Sequence, residues 1–518
     1  MINILAKYKY PLILGMLLTL AFGATRLANL TILPVFVDEA IYIRWSQVMR
    51  DPAWRFIPLT DGKQPLFMWL SSPLVNLWSD PLFASRLISV IAGFFGMIGI
   101  FLLSRELFSK KIGSIAAFFY VLVPFFVFYD RLAVPDGLLT VLGIWAMFLS
   151  VVLARTVRLD VALILGMVIG AATLTKSPGF FYLLLVPSGI LVFNFSRQAL
   201  PKLVKLALLW ILVALMALVI YNILRLSPYF YLIGQRTYDF ILTPAEFLQN
   251  GPFWWLLCRG ASFTWGCGRI FESFDWLVSY FTWPIFAAAF AGMLFLFRKN
   301  WRVALFITAW STCPLLVENA IAKGFTARYI IFATFPFLVT AAYFADLAIA
   351  KLKQIHYLAP WGLLVLLMPA VVFDWYLLTN PSQAAIPAKE REGYVEEWSA
   401  GYGIVEIAQF LKGKATDQRP ILVGTEGTFG TLPDGLQIYV RDIPNLTVVG
   451  MGQNADIYNI PKDLVDFANR GNLAYLVVNK TRLHPANDPH LKLIASYPKP
   501  AGRSKQEELL FFQIIKLK

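Results

Sequence analysis

Two adjacent carboxylates, Asp38 and Glu39, follow the first strongly apolar segment almost at once, in the stretch Val37-Asp38-Glu39-Ala40-Ile41-Tyr42. An ionised carboxylate at the edge of hydrocarbon is costly unless it meets water or a partner, so the pair needs a reason. Two reasons fit. Negative charge in the first turn of a helix suits the helix dipole. Alternatively, partial burial raises the pKa of Asp38 toward the range a general base for a hydroxyl needs. Further along, Lys63, Asp130-Arg131, Asp136, Lys176 and Arg328-Tyr329 stand at the ends of other apolar runs. Each has an ordinary role open to it. Lys63 can snorkel to headgroups or bind a phosphate as a point charge. Arg131 can bind a phosphate or only pair with Asp130. Asp136, after Pro135, can cap a helix, orient an acceptor or support Asp38. Lys176 and Arg328-Tyr329 can be interfacial anchors. As a set, two acidic and several basic sites suit transfer from a phosphate-linked donor, with a base for the nucleophile and cations for the leaving phosphate.

These residues are separated by long apolar runs. The chain is 58% hydrophobic and only 15% charged, against about 25% charged in soluble domains. Nearly uncharged runs recur from residue 11 to residue 378, many of them reaching the ~20 residues a helix needs to cross a bilayer. The pattern predicts a mainly α membrane protein, a polytopic bundle of about eleven transmembrane helices, over residues 1–378. The first span runs about Leu12–Leu30 and the last about Trp361–Leu378. Between the first two lie juxtamembrane helices in the first external loop. One is Asp38–Met49, with Ile41, Trp45 and Val48 on one face; another begins at Gln64-Pro65-Leu66. The N-terminus has the charge of a signal peptide but no clear cleavage site, so it reads as a retained first span.

With the N-terminus in the cytoplasm, the Lys/Arg clusters at 105–111, 155–158, 197–205, 298–302 and 351–353 all fall on the cytoplasmic side. Much of the net charge of +14 is taken up this way, so it marks topology and not nucleic-acid binding. Asp38, Lys63, Asp136, Lys176, Lys323 and Arg328 then share the other face, together with everything after residue 378. That convergence points to an extracytoplasmic active site.

Residues 379–518 are more charged, richer in proline and shorter in their apolar runs. They predict an extracytoplasmic α/β domain. Helices are expected over Ile404–Leu411 and Pro461–Ala468, and strands over Pro420–Val423, Gln437–Val440, Ala474–Val478 and Leu509–Ile515. Gly424-Thr425-Glu426-Gly427-Thr428-Phe429-Gly430 matches no phosphate-loop spacing and reads as a plain loop. Cys258 and Cys267 share one loop and are either a disulfide or two free thiols. Neither they nor Cys313 have zinc-site spacing. The histidines, His356, His484 and His490, lie outside the apolar spans, leaving intramembrane chemistry to carboxylates, lysines and arginines.

The order of motifs resembles the polytopic lipid-linked-sugar glycosyltransferases of the GT-C fold, the bacterial aminoarabinose transferases and protein O-mannosyltransferases. Asp38-Glu39 resembles their Asp-Glu motif in the first external loop. Lys63-Gln64-Pro65-Leu66 with Trp69 resembles their Lys-Pro-Pro stretch. Arg86, Asp136, Thr175-Lys176-Ser177-Pro178 and Arg328-Tyr329 with Pro336 follow in the family's order. The resemblance implies an inverting transfer from a polyprenyl-phosphate sugar donor to an acceptor glycan, lipid or protein. It implies Asp38 as base, supported by Glu39, with Asp136 as a second functional carboxylate. Lys63 would contact the lipid phosphate, and Tyr42, Arg86, Arg131, Lys176, Arg328 and Tyr329 complete the candidate substrate-binding set. The sequence departs from the family at Ile41, where aminoarabinose transferases carry an arginine that Arg44 could replace one turn on, and at Gln64. Some relatives use a divalent cation, which Asp38, Glu39 and Asp136 could hold only if they meet in space. The rival outside the enzyme class is a transporter or lipid-linked-glycan flippase. Such proteins usually carry charges at the midplane and repeated broken helices; here the charges sit at one surface and no repeat is visible. An assembly protein whose tail binds a partner is a further alternative.

Overall fold

The computed structural model describes residues 2–195, 199–249, 268–453, 455–484, 488–502 and 506–516. Cys258 and Cys267 lie outside the described residues. The apolar runs fold as helices, which satisfy their own backbone groups where lipid offers no partner. In order come α1 (Ile2–Leu27), α2 (Val37–Val48), α3 (Leu66–Val75), α4 (Pro81–Leu107), α5 (Lys110–Leu122), α6 (Pro124–Tyr129), α7 (Pro135–Thr156), α8 (Leu159–Thr175), α9 (Gly179–Leu185) and α10 (Ala199–Tyr221). Helices Phe230–Phe240, Pro244–Gln249, Gly268–Phe281, Trp283–Lys299, Trp301–Ile321, Pro336–Ile355 and Met368–Thr379 follow in the membrane half.

Among the described residues, six helices are long and apolar enough to cross a membrane, or up to eight if each of two bent pairs counts as one span. The sequence predicted about eleven. The expected apolar segments are helical, but several, such as Leu159–Thr175 and Gly179–Val192, are shorter than a full crossing. The bent pairs also differ from straight spans: Gly268–Phe281 meets Trp283–Lys299 at 111°, and 327–333 meets Pro336–Ile355 at 60°. Proline at the first or second position of the second helix in each pair suits such a break.

The interior is formed where α4 packs against α5 and α7, and α8 against α7 and α10. α7 and the Tyr182 ring approach closely at Gly143, where an added Cβ would lie 2.3 Å from the ring. The Tyr182 hydroxyl donates to the carbonyls of Leu139 and Phe332, at 3.1 and 3.0 Å. It thereby ties α7 to the segment that carries Arg328.

The C-terminal part holds a five-stranded sheet in the order β2-β1-β3-β5-β4, built from β1 (Ile421–Thr425), β2 (Leu446–Gly450), β3 (Leu473–Asn479), β4 (Leu491–Pro498) and β5 (Glu508–Ile514). β1 runs parallel to β2 and β3; β5 runs antiparallel to β3 and β4. The central strand β3 is apolar and almost wholly buried, as a strand covered on both faces must be. Gln437–Val440 is not a strand but the end of a helix, Asp434–Val440. Four alternating residues were too few for period to decide; Pro433 and Asp434 instead supply a helix start, with Gly430 N–H donating to the Asp434 carboxylate at 2.7 Å. Strands β2 and β4 escaped the sequence reading because they flank the sheet and leave much of their surface in solvent.

The two parts meet beside α2. Phe36 and Ala400 form an antiparallel bridge, Val37 N–H donates to Ser399 O at 3.1 Å, and Gly401 N–H donates to Val35 O at 2.9 Å.

Candidate functional site

Asp38 and Glu39 sit in the first turn of α2 and face different ways. Glu39 reaches back to accept from Phe36 N–H at 3.0 Å, the reciprocal half of a helix cap. Its carboxylate also takes Ala133 N–H at 2.6 Å and a two-pronged bond from Arg86, Nε at 2.8 Å and Nη2 at 2.7 Å. The remaining donors of Arg86 bind the carbonyls of Leu30, Leu33 and Pro34. Both side chains are fully buried, so this pair is an internal knot joining α2, α4 and the loop before α2. Arg131 is likewise turned inward, donating to the carbonyls of Thr25, Arg26, Ala28 and Asn29 at the end of α1. Asp130 pairs with Arg26 at 3.2 Å. Neither Arg86 nor Arg131 reaches the cavity described next.

Asp38 opens into a cavity of about 390 Å³. Arg328 donates to its Oδ2, and the Lys63 ammonium stands 4.0 Å from Oδ1. Lys63 also pairs with Asp61 at 3.2 Å and lies over the rings of Tyr42 and Trp45, at 5.2 and 5.6 Å. Lys176 ends α8. It donates to Asp136 at 2.6 Å and lies 4.4 Å above the Tyr329 ring. Gln64 Nε2 donates to the Ser177 hydroxyl at 2.8 Å, closing the gap between the α3 and α8 segments. Tyr42, Lys63, Gln64, Lys176, Arg328 and Tyr329 therefore line one space with Asp38, although 290 positions separate Asp38 from Arg328. Apolar side chains such as Met68, Phe180, Phe181, Leu184 and Ile321 form the rest of the wall.

The electrostatics invert one expectation. Burial opposes ionisation of Asp38, but Arg328, Lys63 and Lys176 together outweigh it and hold the carboxyl below its usual range. Burial alone gives the opposite direction; the three cations that the sequence places on the same face decide it. For Tyr42, burial and the nearby Asp38 carboxylate both push the phenol well above its ordinary value.

Two further residues belong here. Glu318, near the end of Trp301–Ile321, lines the same cavity. A lone acid at the end of an apolar run is the signal by which the sequence marks it. Glu390 lies at the far side of Arg328: it accepts from Ala327 N–H at 2.9 Å and from the Tyr129 hydroxyl at 3.0 Å. Its sequence setting, the charged run Ala388-Lys389-Glu390-Arg391, looks solvated. Lys323 instead pairs with Glu246 at 3.1 Å, and Arg44 is coupled to Asp434 and Arg441 of the C-terminal part.

Asp38, Glu39 and Asp136 do not form a shared ligand set for a divalent cation. Each already faces a protein cation: Arg328, Arg86 and Lys176 respectively. No group of three His, Cys, Asp or Glu among the described residues is placed to hold a metal ion.

Residues 62–223 match the family described as dolichyl-phosphate-mannose-protein mannosyltransferase. The whole chain superposes on the crystal structure of ArnT from Cupriavidus metallidurans in the apo state. The TM-score is 0.60 at 16% identity, covering 98% of each chain. The same protein bound to undecaprenyl phosphate matches with a TM-score of 0.59 at 17% identity, over 97% of this chain and 98% of that one. The Archaeoglobus fulgidus oligosaccharyltransferase in its apo form matches with a TM-score of 0.54 at 14% identity, over 90% of this chain and 69% of that one. No curated protein sequence matches the chain. The chain thus has the fold of the lipid-linked-sugar glycosyltransferases, the GT-C fold that the order of its motifs resembled.

Proposed function

We propose that this chain is an inverting glycosyltransferase of a cell membrane, moving a sugar from a polyprenyl-phosphate donor to an extracytoplasmic hydroxyl or amine. The observation that carries it is the cavity in which one carboxylate, Asp38, meets three cations, Arg328, Lys63 and Lys176. Its apolar wall suits a polyprenyl chain, and its charged end suits a phosphate. In this reading the acceptor O–H or N–H gives its proton to the Asp38 carboxylate as the new bond to the anomeric carbon forms. The bond from that carbon to the phosphate oxygen breaks with its electron pair, and polyprenyl phosphate leaves. Lys63, Lys176 and Arg328 stabilise the charge that builds on the phosphate. Donor phosphate competes with Asp38 for Arg328, so donor binding frees the base. Tyr42 and Tyr329 flank the sugar. Asp136 orients Lys176, while Glu39 and Arg86 fix the first turn of α2. Residues 1–378 form the transferase domain and residues 379–518 an extracytoplasmic domain beside the site.

The test is transfer of radiolabelled sugar from short-chain polyprenyl-phosphate mannose, glucose, galactose and aminoarabinose, with membrane extract as acceptor source, in wild type and Asp38→Asn. Transfer by wild type, lost in a folded Asp38→Asn protein, supports both the reaction and the base. Equal transfer by the two proteins removes Asp38 from the chemistry.

A further inference from the structure

The cavity that holds Asp38 has a second acid on its wall. Glu318 stands in the last turn of Trp301–Ile321. Ile321 and Ala322, three and four positions on, line the same space, so this face of the helix is turned into the cavity. The rim beside it is fixed by backbone bonds. Leu242 N–H donates to Ile321 O at 2.8 Å, and Lys323 N–H donates to Phe240 O at 2.7 Å.

Glu318 is 7% exposed. Each cation on the wall already meets another carboxylate: Arg328 meets Asp38, Lys63 meets Asp61 and Lys176 meets Asp136. Among the described residues, nothing donates a hydrogen bond to the Glu318 carboxylate. An acid in the last turn also faces the wrong end of the helix dipole, so capping does not explain it. Its oxygens are not shut inside the protein. The buried polar atoms that are both unpartnered and sealed include the two oxygens of Asp374 but neither oxygen of Glu318. The Glu318 carboxylate therefore opens on the cavity, where an oxygen without a donor is costly. What it lacks is hydrogen bonds and not opposite charge. The charge of Lys176 reaches Glu318, while the Lys176 ammonium donates to Asp136 at 2.6 Å. A ligand ammonium placed here would be repelled by Lys176, whereas a hydroxyl brings a donor and no charge.

We propose that Glu318 reads the donor sugar, accepting from two of its hydroxyls, one at each carboxylate oxygen, and so sets which sugars the site takes. The identity of this ligand rests on the transferase reading, in which the lipid phosphate lies among Arg328, Lys63 and Lys176. A site built to accept from a hydroxyl rejects the analogue that lacks it, because the buried acceptor is then left unpaired.

The test measures binding to the full chain in lipid nanodiscs for wild type, Glu318→Gln and Glu318→Leu. The probes are short-chain polyprenyl phosphate alone, the same lipid carrying mannose, glucose, galactose or aminoarabinose, and the monodeoxy forms of the neutral sugar bound best. Wild type should bind that sugar-bearing lipid more tightly than the bare lipid phosphate. Glu318→Leu should weaken this binding by about tenfold or more, with affinity for bare polyprenyl phosphate unchanged. At least one monodeoxy form should bind weakly to wild type and lose nothing further in Glu318→Leu. The unfolding temperature of Glu318→Leu should not fall, since no bond of the fold is removed; the isosteric Glu318→Gln carries the comparison if leucine disturbs the wall. Sugar-dependent binding that these variants remove supports the subsite even where no donor is turned over, an outcome that would end the transferase reading alone. Four results would each overturn the proposal: no preference of wild type for a sugar-bearing lipid, no loss in either variant, an equal loss for bare polyprenyl phosphate, or a loss confined to the aminoarabinose lipid, which would make Glu318 a cation site.

Discussion

Arg328 donates to the carboxylate of Asp38 across 290 positions of sequence. The contact joins the first turn of α2 to the segment that enters Pro336–Ile355, and it sets the charge state of the candidate base. Asp38 is buried enough to resist ionisation, yet its carboxyl is held below the usual range, because Arg328, Lys63 and Lys176 outweigh burial. A carboxylate held this way is always ionised near neutrality. It becomes a better base only when a competing anion draws Arg328 away.

That relationship predicts a pH profile. In the proposed mechanism transfer needs ionised Asp38, so it is lost as pH falls through the pKa of that carboxyl, and in wild type the acid limb lies below the ordinary value of 3.8. Arg328→Gln removes the largest opposing cation and leaves burial in place, so the pKa rises and the limb moves to higher pH. The measurement is kcat/KM for sugar transfer against pH in both proteins. An unmoved limb would separate Arg328 from the state of Asp38. In the proposed mechanism Asp38→Asn lowers kcat by about 10²–10⁴ at pH values above that limb.

Glu39 and Arg86 predict stability and not rate. Both are fully buried and bonded twice to each other. Removing one partner leaves the other charge buried and unpaired, at a cost of about 3–5 kcal/mol. Arg86→Met and Glu39→Gln should each lower the unfolding temperature in detergent sharply, while the double replacement should recover part of the loss. A loss in the double variant equal to the sum of the two single losses would mean that the two side chains act independently.

The cavity-lining charges were legible in the sequence because lone Lys, Arg and Asp residues at the ends of apolar runs are rare and costly. Asp38, Lys63, Lys176 and Arg328 do meet in one cavity. Partners and directions were not legible. Nothing local distinguishes Asp38, facing the cavity, from Glu39, knotted to Arg86, because their divergence follows from one step of helix rotation and from loops far off in sequence. Arg131 looked like a phosphate ligand and instead collects four carbonyls at the end of α1. The bundle was legible from hydropathy, whereas the short and bent helices were not, since hydropathy reports burial in lipid and not the axis of a helix. In the C-terminal part, the buried strand β3 was found and the flanking strand β4 was missed, because only full burial leaves a continuous apolar run.

Lys499 predicts a pH dependence of stability. It is buried, donating to Asn479 Oδ1 at 2.7 Å and Glu397 O at 2.9 Å. Burial pulls its pKa down to about 8, against the pull of Glu507 and Glu426. The unfolded chain holds this proton up to the ordinary lysine value of 10.5. Between those limits the unfolded state binds more protons, so stability rises with pH, by at most about 1.4 kcal/mol per pH unit for the one group. Thermal unfolding from pH 7 to 10.5 should therefore show wild type gaining on Lys499→Met. Parallel curves would mean that Lys499 is not depressed.

Glu390 predicts that residues beyond the last apolar helix tune the site. Its carboxylate accepts from Ala327 N–H, one residue before Arg328, and from the Tyr129 hydroxyl. It is not among the residues lining the cavity, so its effect passes through Arg328, by the backbone bond at Ala327 and by the attraction between the two charges. Glu390→Ala frees that backbone, and a displacement of about 1 Å at a reacting group can cost up to ~10² in rate. The fall should appear in kcat, with KM for the donor changed less and with the acid limb of the pH profile moved in the same direction as in Arg328→Gln. The decisive comparison is the double variant. If Glu390 acts only by holding Arg328, then Glu390→Ala has little further effect once Arg328 is Gln, and the two losses are strongly non-additive. If the losses simply multiply, Glu390 supports the fold by another route, and the link from the C-terminal segment to the base is broken.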